Sequence, residues 1–306
     1  MSLNIVFMGT PEFSLPSLQA LIKKNFNVLC VYTQPPAKSK RGQKIEATPI
    51  EKFAKENKIN IKNPINLNSQ KELEEFHKLS ADIVVVVAYG QIIPKIFLDK
   101  ARFGFINLHA SLLPKWRGAA PIQRAIMNED KSVGVSIMKI EEQLDTGPVL
   151  FSKEIKLDRE TTHGEIEKEL STMGADLIIE SLKIIESGSA KFLKQEHSKA
   201  TYAKKIKKNE TKINWNLDAS QVLAHIHGLS PNPGSWFLHK NERFKVLRAE
   251  PSKDSGKPGS VLDENLTIGC KSKSIKILEL QRQGKNKKTA KEFLLGNKIS
   301  KGQILT

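Results

Sequence analysis

Thiols are nearly absent from this sequence: Cys30 and Cys270 are the only two in 306 residues, and they lie far apart. With no CxxC pair and no ladder of closely spaced cysteines, neither a disulfide framework nor a thiolate metal site is expected. Both read as small buried hydrophobes. Long apolar runs are missing too. No stretch approaches the roughly 18 to 20 residues that span a bilayer. Met1-Ser2-Leu3-Asn4 runs straight into an apolar segment without a charged leader region or a cleavage site. A soluble, cytoplasmic, monomeric protein with no membrane partner is the expectation. A glycine-rich phosphate loop is also lacking. The first turn is Gly9-Thr10-Pro11-Glu12-Phe13, which fits neither GxGxxG nor GxxxxGK. The glycine that lets a backbone approach pyrophosphate is missing, and Glu12 would repel an anion. Nucleotide binding at this turn is therefore excluded, and a ligand is expected at the carboxyl ends of the middle strands.

What is present divides the chain by charge. The net charge is +16. Residues 1–190 hold 25 Lys and Arg against 23 Asp and Glu, whereas residues 191–306 hold 24 against 10. A genome-wide lysine bias would also raise the total, but the near-neutral first part argues for a local cause. A folded, lysine-rich region suits a polyanion such as nucleic acid.

Hydrophobic patterning supports the same division. NIVFMG (4–9), NVLCVYT (27–33), ADIVVVVAYG (81–90), GFINLHAS (104–111), VGVSIMKI (133–140) and VLFSKEIKL (149–157) read as strands. Helical spacing is found at 12–24, 50–58, 70–79, 121–127 and 162–187. This alternation predicts an α/β, doubly wound Rossmann-like parallel sheet over residues 1–190. Residues 191–208 are basic and short of large apolar side chains, as a linker would be. From 209 to 306 a helix near 219–228, a turn-rich 229–237 and short alternating runs at 244–247, 261–262, 266–268 and 275–278 suggest a small OB-like antiparallel β-barrel.

The densest candidate segment is NLHASLLPKWRGAAP (107–121). Asn107, His109 and Ser111 alternate on an extended chain, so their side chains share one face where a buried strand leaves the sheet. His109 alone could be a structural histidine. Beside it, Asn107 offers an amide that can polarise a carbonyl or donate to an oxyanion. Asp145 in Leu144-Asp145-Thr146-Gly147-Pro148 offers a carboxylate, or is simply a turn former. His225 and His227 have no nearby third ligand, so packing is the better reading and no metal is expected. Trp215, Trp236 and Phe237 could stack on bases, but in a small barrel they are expected in the core.

NLHASLLPKWRGAAPIQ followed by LDTG resembles the signature of the methionyl-tRNA formyltransferase family. VFMGTPEF, QPPAKSKRGQK (34–44), VVVAYGQIIP (85–94) and LSPNPGSWF (229–237) extend the resemblance over nearly the full length. It implies transfer of a formyl group from 10-formyltetrahydrofolate to the α-amine of methionine on initiator methionyl-tRNA. Asn107 would donate to the formyl oxygen, and His109 would stabilise the oxyanion and pass a proton. Asp145 would orient His109, favouring its cationic form, and help remove the amine proton. Ser111, Leu112, Leu113 and Pro114 would line the folate site, with Tyr89, Gly90, Gln91 and Ile92 as a second wall. Arg117 would either touch substrate or shape the following loop.

For the tRNA, the resemblance assigns the loop carrying Lys38, Lys40, Arg41 and Lys44 to the acceptor end, with Arg41 at the family's key arginine. Pro36-Ala37-Lys38 departs from the family's spacing in the first half of that loop. Lys204, Lys205, Lys207 and Lys208, with the second domain, would grip acceptor-stem phosphates. Two other readings stay open. A formyltransferase acting on a small amine such as an amino sugar nucleotide would keep the trio without needing a basic second domain. A non-enzymatic nucleic-acid-binding protein would explain the charge but not the trio.

Overall fold

The computed structural model describes residues 3–39, 44–297 and 299–306. It separates into two compact units. The first comprises Met1–Gly118, Gly134–Glu154 and Lys168–Tyr202; the second comprises Ala119–Val133, Ile155–Glu167 and Ala203–Thr306.

The first unit is organised on strands β1 (Asn4–Gly9) and β2 (Asn27–Tyr32), a short hairpin of β3 (Ala37–Ser39) and β4 (Lys44–Glu46), then β5 (Ile61–Lys62), β6 (Ile83–Val87) and β7 (Phe105–His109). After the two-residue β8 (Arg117–Gly118) come β9 (Ser132–Lys139) and β10 (Val149–Lys156). The main sheet runs in the order β10-β9-β7-β6-β1-β2-β5. Pairing is parallel from β5 through β2, β1 and β6 to β7. β9, however, runs antiparallel to β7, with Asn107 opposite Met138 and His109 opposite Ser136. The expected Rossmann-like parallel sheet is present, and it carries an antiparallel margin beside its site-bearing strand. Apolar periodicity carries no information about strand direction, so the residues alone do not reveal it.

β1 and β6 are buried on both faces, as continuous apolar runs require. The helices that accompany this sheet are α1 (Leu15–Lys23), α2 (Pro49–Glu56), α3 (Gln70–Lys78), the single turn α4 (Lys95–Leu98) and, after α5 (Pro121–Met127) of the second unit, most of α6 (His163–Glu186). Thr48 and Ser69 cap α2 and α3 by accepting from the Glu51 and Glu72 amides, each satisfying an otherwise orphan donor. Phe76 anchors an aromatic cluster on one face, with Phe97 and Phe105 at ring-centre distances of 5.3 and 5.8 Å. On α6, Gly174 lies so close to Leu108 of β7 that an added Cβ would stand 2.4 Å from a leucine methyl.

The second unit holds α7 (Ala219–Leu229), packed on α5 where Gly228 meets Met127 and Gln123. β11 (Tyr202–Ala203) precedes α7. Then follow β12 (Ser235–His239), β13 (Glu242–Ser252), β14 (Thr267–Gly269), β15 (Ser274–Arg282), β16 (Lys288–Thr289) and α8 (Ala290–Leu294). The sheet order is β12-β13-β15-β14, all antiparallel. Two irregular segments complete the ring. Leu262 donates to Thr267, Leu305 donates to Gly259, and Leu238 of β12 exchanges both backbone bonds with Thr306. Hydrogen bonding thus passes all the way round and leaves β12 and β14 without an open edge. Phe237, Phe244, Val246, Ile268, Ile277 and Leu280 fill the interior. The stretch expected to be turn through residue 237 is strand from Ser235 onward; Pro231, Pro233 and Gly234 just before it hide its start.

The basic segment expected to be a linker is pinned along its length. Leu193 exchanges backbone bonds with Val149, Thr201 accepts from the Arg117 amide, and Ala203 accepts from Ala119.

Candidate active site

β7 delivers the first two candidates. Alternation along an extended chain turns Asn107 and His109 to the same side, and His109 is the last residue of the strand. Its ring is buried and flanked on both nitrogens. Nε2 lies 2.9 Å from the Trp116 carbonyl oxygen, so that nitrogen carries a hydrogen. Nδ1 faces Asp145 Oδ2 at 3.6 Å. Asp145, for which spacing alone leaves a plain turn role open, is thus brought to the histidine. It sits at φ +52°, a left-handed conformation uncommon for a residue with a side chain. Its Oδ2 also accepts from the Gly118 amide at 2.8 Å. Asn107 is half-buried, and none of the hydrogen bonds among the described residues uses its side-chain amide. The chemistry on offer is a free amide donor next to an imidazole held between a carbonyl and a carboxylate. That set can stabilise a developing oxyanion and move protons.

The turn after β7 is tightly built. Ser111 is buried and its hydroxyl donates to the Lys115 carbonyl at 2.6 Å. Ser136 Oγ donates to the Ser111 carbonyl and accepts from the Leu113 amide, tying the turn to β9. Leu112, Leu113 and Pro114 are half-buried, with a cis Leu113–Pro114 bond. At the end of β6, Tyr89 is buried, and burial raises its phenol pKa, so it stays protonated. The Tyr89 carbonyl accepts from Thr10 Oγ1 and Gln34 Nε2, linking the exits of β1, β2 and β6. Gly90 adopts φ +81°, and Gln91 donates to the Pro64 carbonyl. Ile92 is 90% exposed, an apolar side chain left in solvent beside these exits.

Arg117 does not reach a surface. It is 1% exposed, and its Nε and Nη2 donate to Gln195 Oε1 at 3.1 and 2.7 Å. Of the two expectations, loop shaping is the one its position permits. Nothing in the sequence singles out Gln195, which is one polar residue in a basic stretch.

A cleft of about 1080 Å³ opens beside the Asp145 turn. Phe105, Lys139, Ile140, Gln143, Thr146 and Phe192 are among its lining residues. None of the eight residues expected to contact folate lines it, whereas Thr146, the neighbour of Asp145, does.

The basic candidates fall in two groups. Lys40 and Arg41 lie outside the described residues. Lys38 and Lys44 belong to β3 and β4, the hairpin that follows β2. Lys204, Lys205, Lys207 and Lys208 are all exposed. Their backbone is fixed, since Arg124 Nε donates to the Lys204 carbonyl and its guanidinium pairs with Glu210, which accepts from the Lys207 amide. Cations are thus displayed on an ordered strap.

All four nitrogens of His225 and His227 have protein partners: Glu210 O and Ser235 Oγ for the first, Arg159 O and the Ala249 amide for the second. Burial lowers the pKa of both rings, as neutral structural histidines require. Among the described residues no group of three or more His, Cys, Asp or Glu could hold a metal ion, and no helix is long and apolar enough to cross a membrane. Burial pushes the thiols of Cys30 and Cys270 up to about 11. Trp215 and Phe237 are core residues. Trp236 instead lies half-buried with the Arg243 guanidinium 3.9 Å from its ring centre.

Comparison with known proteins points one way. A formyl transferase family model matches residues 3–182, and a formyl transferase C-terminal domain model matches residues 205–298. A methionyl-tRNA formyltransferase of Pelagibacter ubique is 49% identical over 100% of this chain and 99% of its own length. One from Bradyrhizobium diazoefficiens is 43% identical over the whole of both chains. Among solved structures, the sugar 3N-formyl transferase WlaRD has a TM-score of 0.69 at 20% identity, covering 94% of this chain and 100% of its own. HypX from Aquifex aeolicus, solved with tetrahydrofolic acid, has a TM-score of 0.66 at 17% identity over 99% of this chain. This chain spans about half of HypX, 51% of its length. At such identities the two structures speak for the fold alone.

Proposed function

This chain belongs to the methionyl-tRNA formyltransferase family, and from that premise we propose that it transfers the formyl group of 10-formyltetrahydrofolate to the α-amine of methionyl initiator tRNA for translation initiation. The observation that carries this reading is the pairing of His109 with Asp145 beside the unengaged amide of Asn107. The amine nitrogen attacks the formyl carbon, and the carbonyl oxygen becomes an oxyanion. The bond from that carbon to the folate nitrogen then breaks, the folate nitrogen gains a proton, and the amine loses one. Asn107 donates to the oxygen as it becomes charged. His109, with Nε2–H held by Trp116, takes on Nδ1 the amine proton that Asp145 collects, adds positive charge beside the oxyanion, and returns that proton for the leaving folate nitrogen. Asp145 holds the ring and accepts the amine proton through water. Each proton-transfer role is worth roughly 10²- to 10⁴-fold, and the oxyanion donor a comparable factor.

Folate is a flat ring system with an aryl tail, and one feature supports its place here. Ser111 to Pro114 and Tyr89 to Ile92 supply walls at the strand exits. In this reading residues 1–190 are the folate-binding catalytic part, 191–208 a basic connecting segment, and 209–306 the tRNA-binding part. The loop with Lys38, Lys40, Arg41 and Lys44 takes the acceptor end, and Lys204, Lys205, Lys207 and Lys208 take phosphates. A terminal pair that opens cheaply is admitted preferentially. The protein works as a monomer in the cytoplasm, where charged initiator tRNA resides.

The test is substrate competition. Purified protein is given 10-formyltetrahydrofolate with either methionyl initiator tRNA or an amino sugar nucleotide. Formylation of the tRNA is expected; turnover of the amino sugar alone would sink the reading.

A further inference from the structure

We infer that Arg117 and Gln195 are positioning residues that hold the Asp145 turn in its working conformation, an inference that rests on the role proposed above for Asp145. Trp116 and Gly118, the two neighbours of Arg117, each touch one member of the His109–Asp145 pair. The Trp116 carbonyl accepts from His109 Nε2 at 2.9 Å, and the Gly118 amide donates to Asp145 Oδ2 at 2.8 Å. Between them, the Arg117 guanidinium grips Gln195 Oε1 through two N–H groups and donates to His197 Nδ1 at 3.3 Å. Gln195 then uses its own amide nitrogen to donate to the Asp145 carbonyl at 2.9 Å and the Gly147 carbonyl at 2.7 Å. The path from guanidinium to turn is continuous: Arg117 orients the glutamine, and the glutamine bridges the two carbonyls that bracket Thr146.

Two features call for such a bridge. Asp145 at φ +52° is in the left-handed region, which Asp visits more readily than most residues but which does not fix the turn without further bonds. Gly147 lies so close to the Lys139 carbonyl that an added Cβ would stand 2.0 Å from its oxygen, so the turn has no slack on its far side. The Asp145 carboxylate is 3.6 Å from His109 Nδ1, a separation at which a small relaxation decides whether the two groups engage. Arg117 itself is a buried cation whose hydrogen bonds among the described residues all go to neutral acceptors. Burying a cation without a carboxylate is unfavourable, and folding alone would be served as well by an apolar side chain. Retaining guanidinium there makes sense if its fork fixes Gln195.

The test is a double-mutant cycle between Gln195→Met and Asp145→Asn, read in kcat and in KM for both substrates. Gln195→Met alone should lower kcat by about 10- to 100-fold, the range a misplaced catalytic group produces, with both KM values within about twofold. In the Asp145→Asn background the same change should cost less than about twofold, because the group it positions is already disabled. Equal loss in both backgrounds would overturn the inference and leave Gln195 a general stabiliser. If Gln195→Met does not fold, Gln195→Glu keeps a partner for Arg117 while removing both N–H donors, and should show the same non-additivity; wild-type kcat in that variant would also overturn it. Arg117→Lys, which keeps the charge but puts a single ammonium nitrogen in place of the fork, should lose kcat towards the level of Arg117→Met; wild-type kcat in Arg117→Lys would contradict the role of the fork. Absence of formyl transfer in the unsubstituted protein would instead refute the functional reading itself.

Discussion

Replacing Gly174 by alanine sets two effects of similar size against each other. Gly174 sits in the interior of α6, where alanine is the better helix former by about 1 kcal/mol. Against this, the new Cβ would stand 2.4 and 2.8 Å from the two Leu108 methyls and 3.1 Å from Leu108 Cγ. The whole isopropyl group has to move, and Leu108 is 3% exposed. Overpacking of this kind costs about 1 to 3 kcal/mol, so the expected net change is a loss of about 0 to 2 kcal/mol. The functional effect should be larger than the stability effect, because Leu108 stands between Asn107 and His109 on β7. Pushing that strand away from α6 shifts both, and a misplacement near 1 Å costs up to about 100-fold in rate. Urea unfolding and single-turnover formyl transfer measure the two quantities on one preparation. Leu108→Val, which shortens the obstructing side chain, should cost less in the Gly174→Ala protein than in wild type. A Gly174→Ala protein that gains about 1 kcal/mol and keeps full turnover would refute this account of the helix–strand packing.

Two further outcomes follow from the charged and titratable groups. Burial lowers the His163 pKa from its ordinary 6.5 to about 4, so between these values the unfolded chain binds a proton that the folded chain refuses. The stability is fully present above pH 6.5 and declines as pH falls towards 4, by about 3 kcal/mol at the lower end; His163→Gln should flatten that decline in melting experiments, and an unchanged slope would contradict it. Changing Lys204, Lys205, Lys207 and Lys208 together to alanine should weaken tRNA binding and reduce its dependence on log salt by about 0.7 to 0.9 for each phosphate no longer neutralised. An unaltered salt slope would remove the strap from the tRNA interface.

Much of the first unit is legible in the residues alone, for a physical reason. β1, β6 and β7 are largely buried apolar runs, and alternation alone puts Asn107 and His109 on one side of the chain. Asp145 cannot be placed that way, since its link to His109 depends on the reversed direction of β9 and on a left-handed turn. Arg117 is harder still. Charged side chains are expected at surfaces or on substrate, yet this one is buried because Gln195, 78 residues away, accepts two of its N–H groups. Residues 191–208 look like a linker by composition, and only backbone hydrogen bonds reveal them as a strap. In the barrel, closure depends on Leu238 meeting Thr306, a pairing between segments with no shared pattern.

The most direct test of the proposed catalytic centre is His109→Ala, assayed for single-turnover formyl transfer and for tRNA affinity on the same preparation. A drop of about 10²-fold or more in the chemical step, with the Kd for methionyl initiator tRNA unchanged, is the predicted result. A variant that binds tRNA poorly while transferring formyl groups at the normal rate once saturated would make His109 a structural histidine and contradict it.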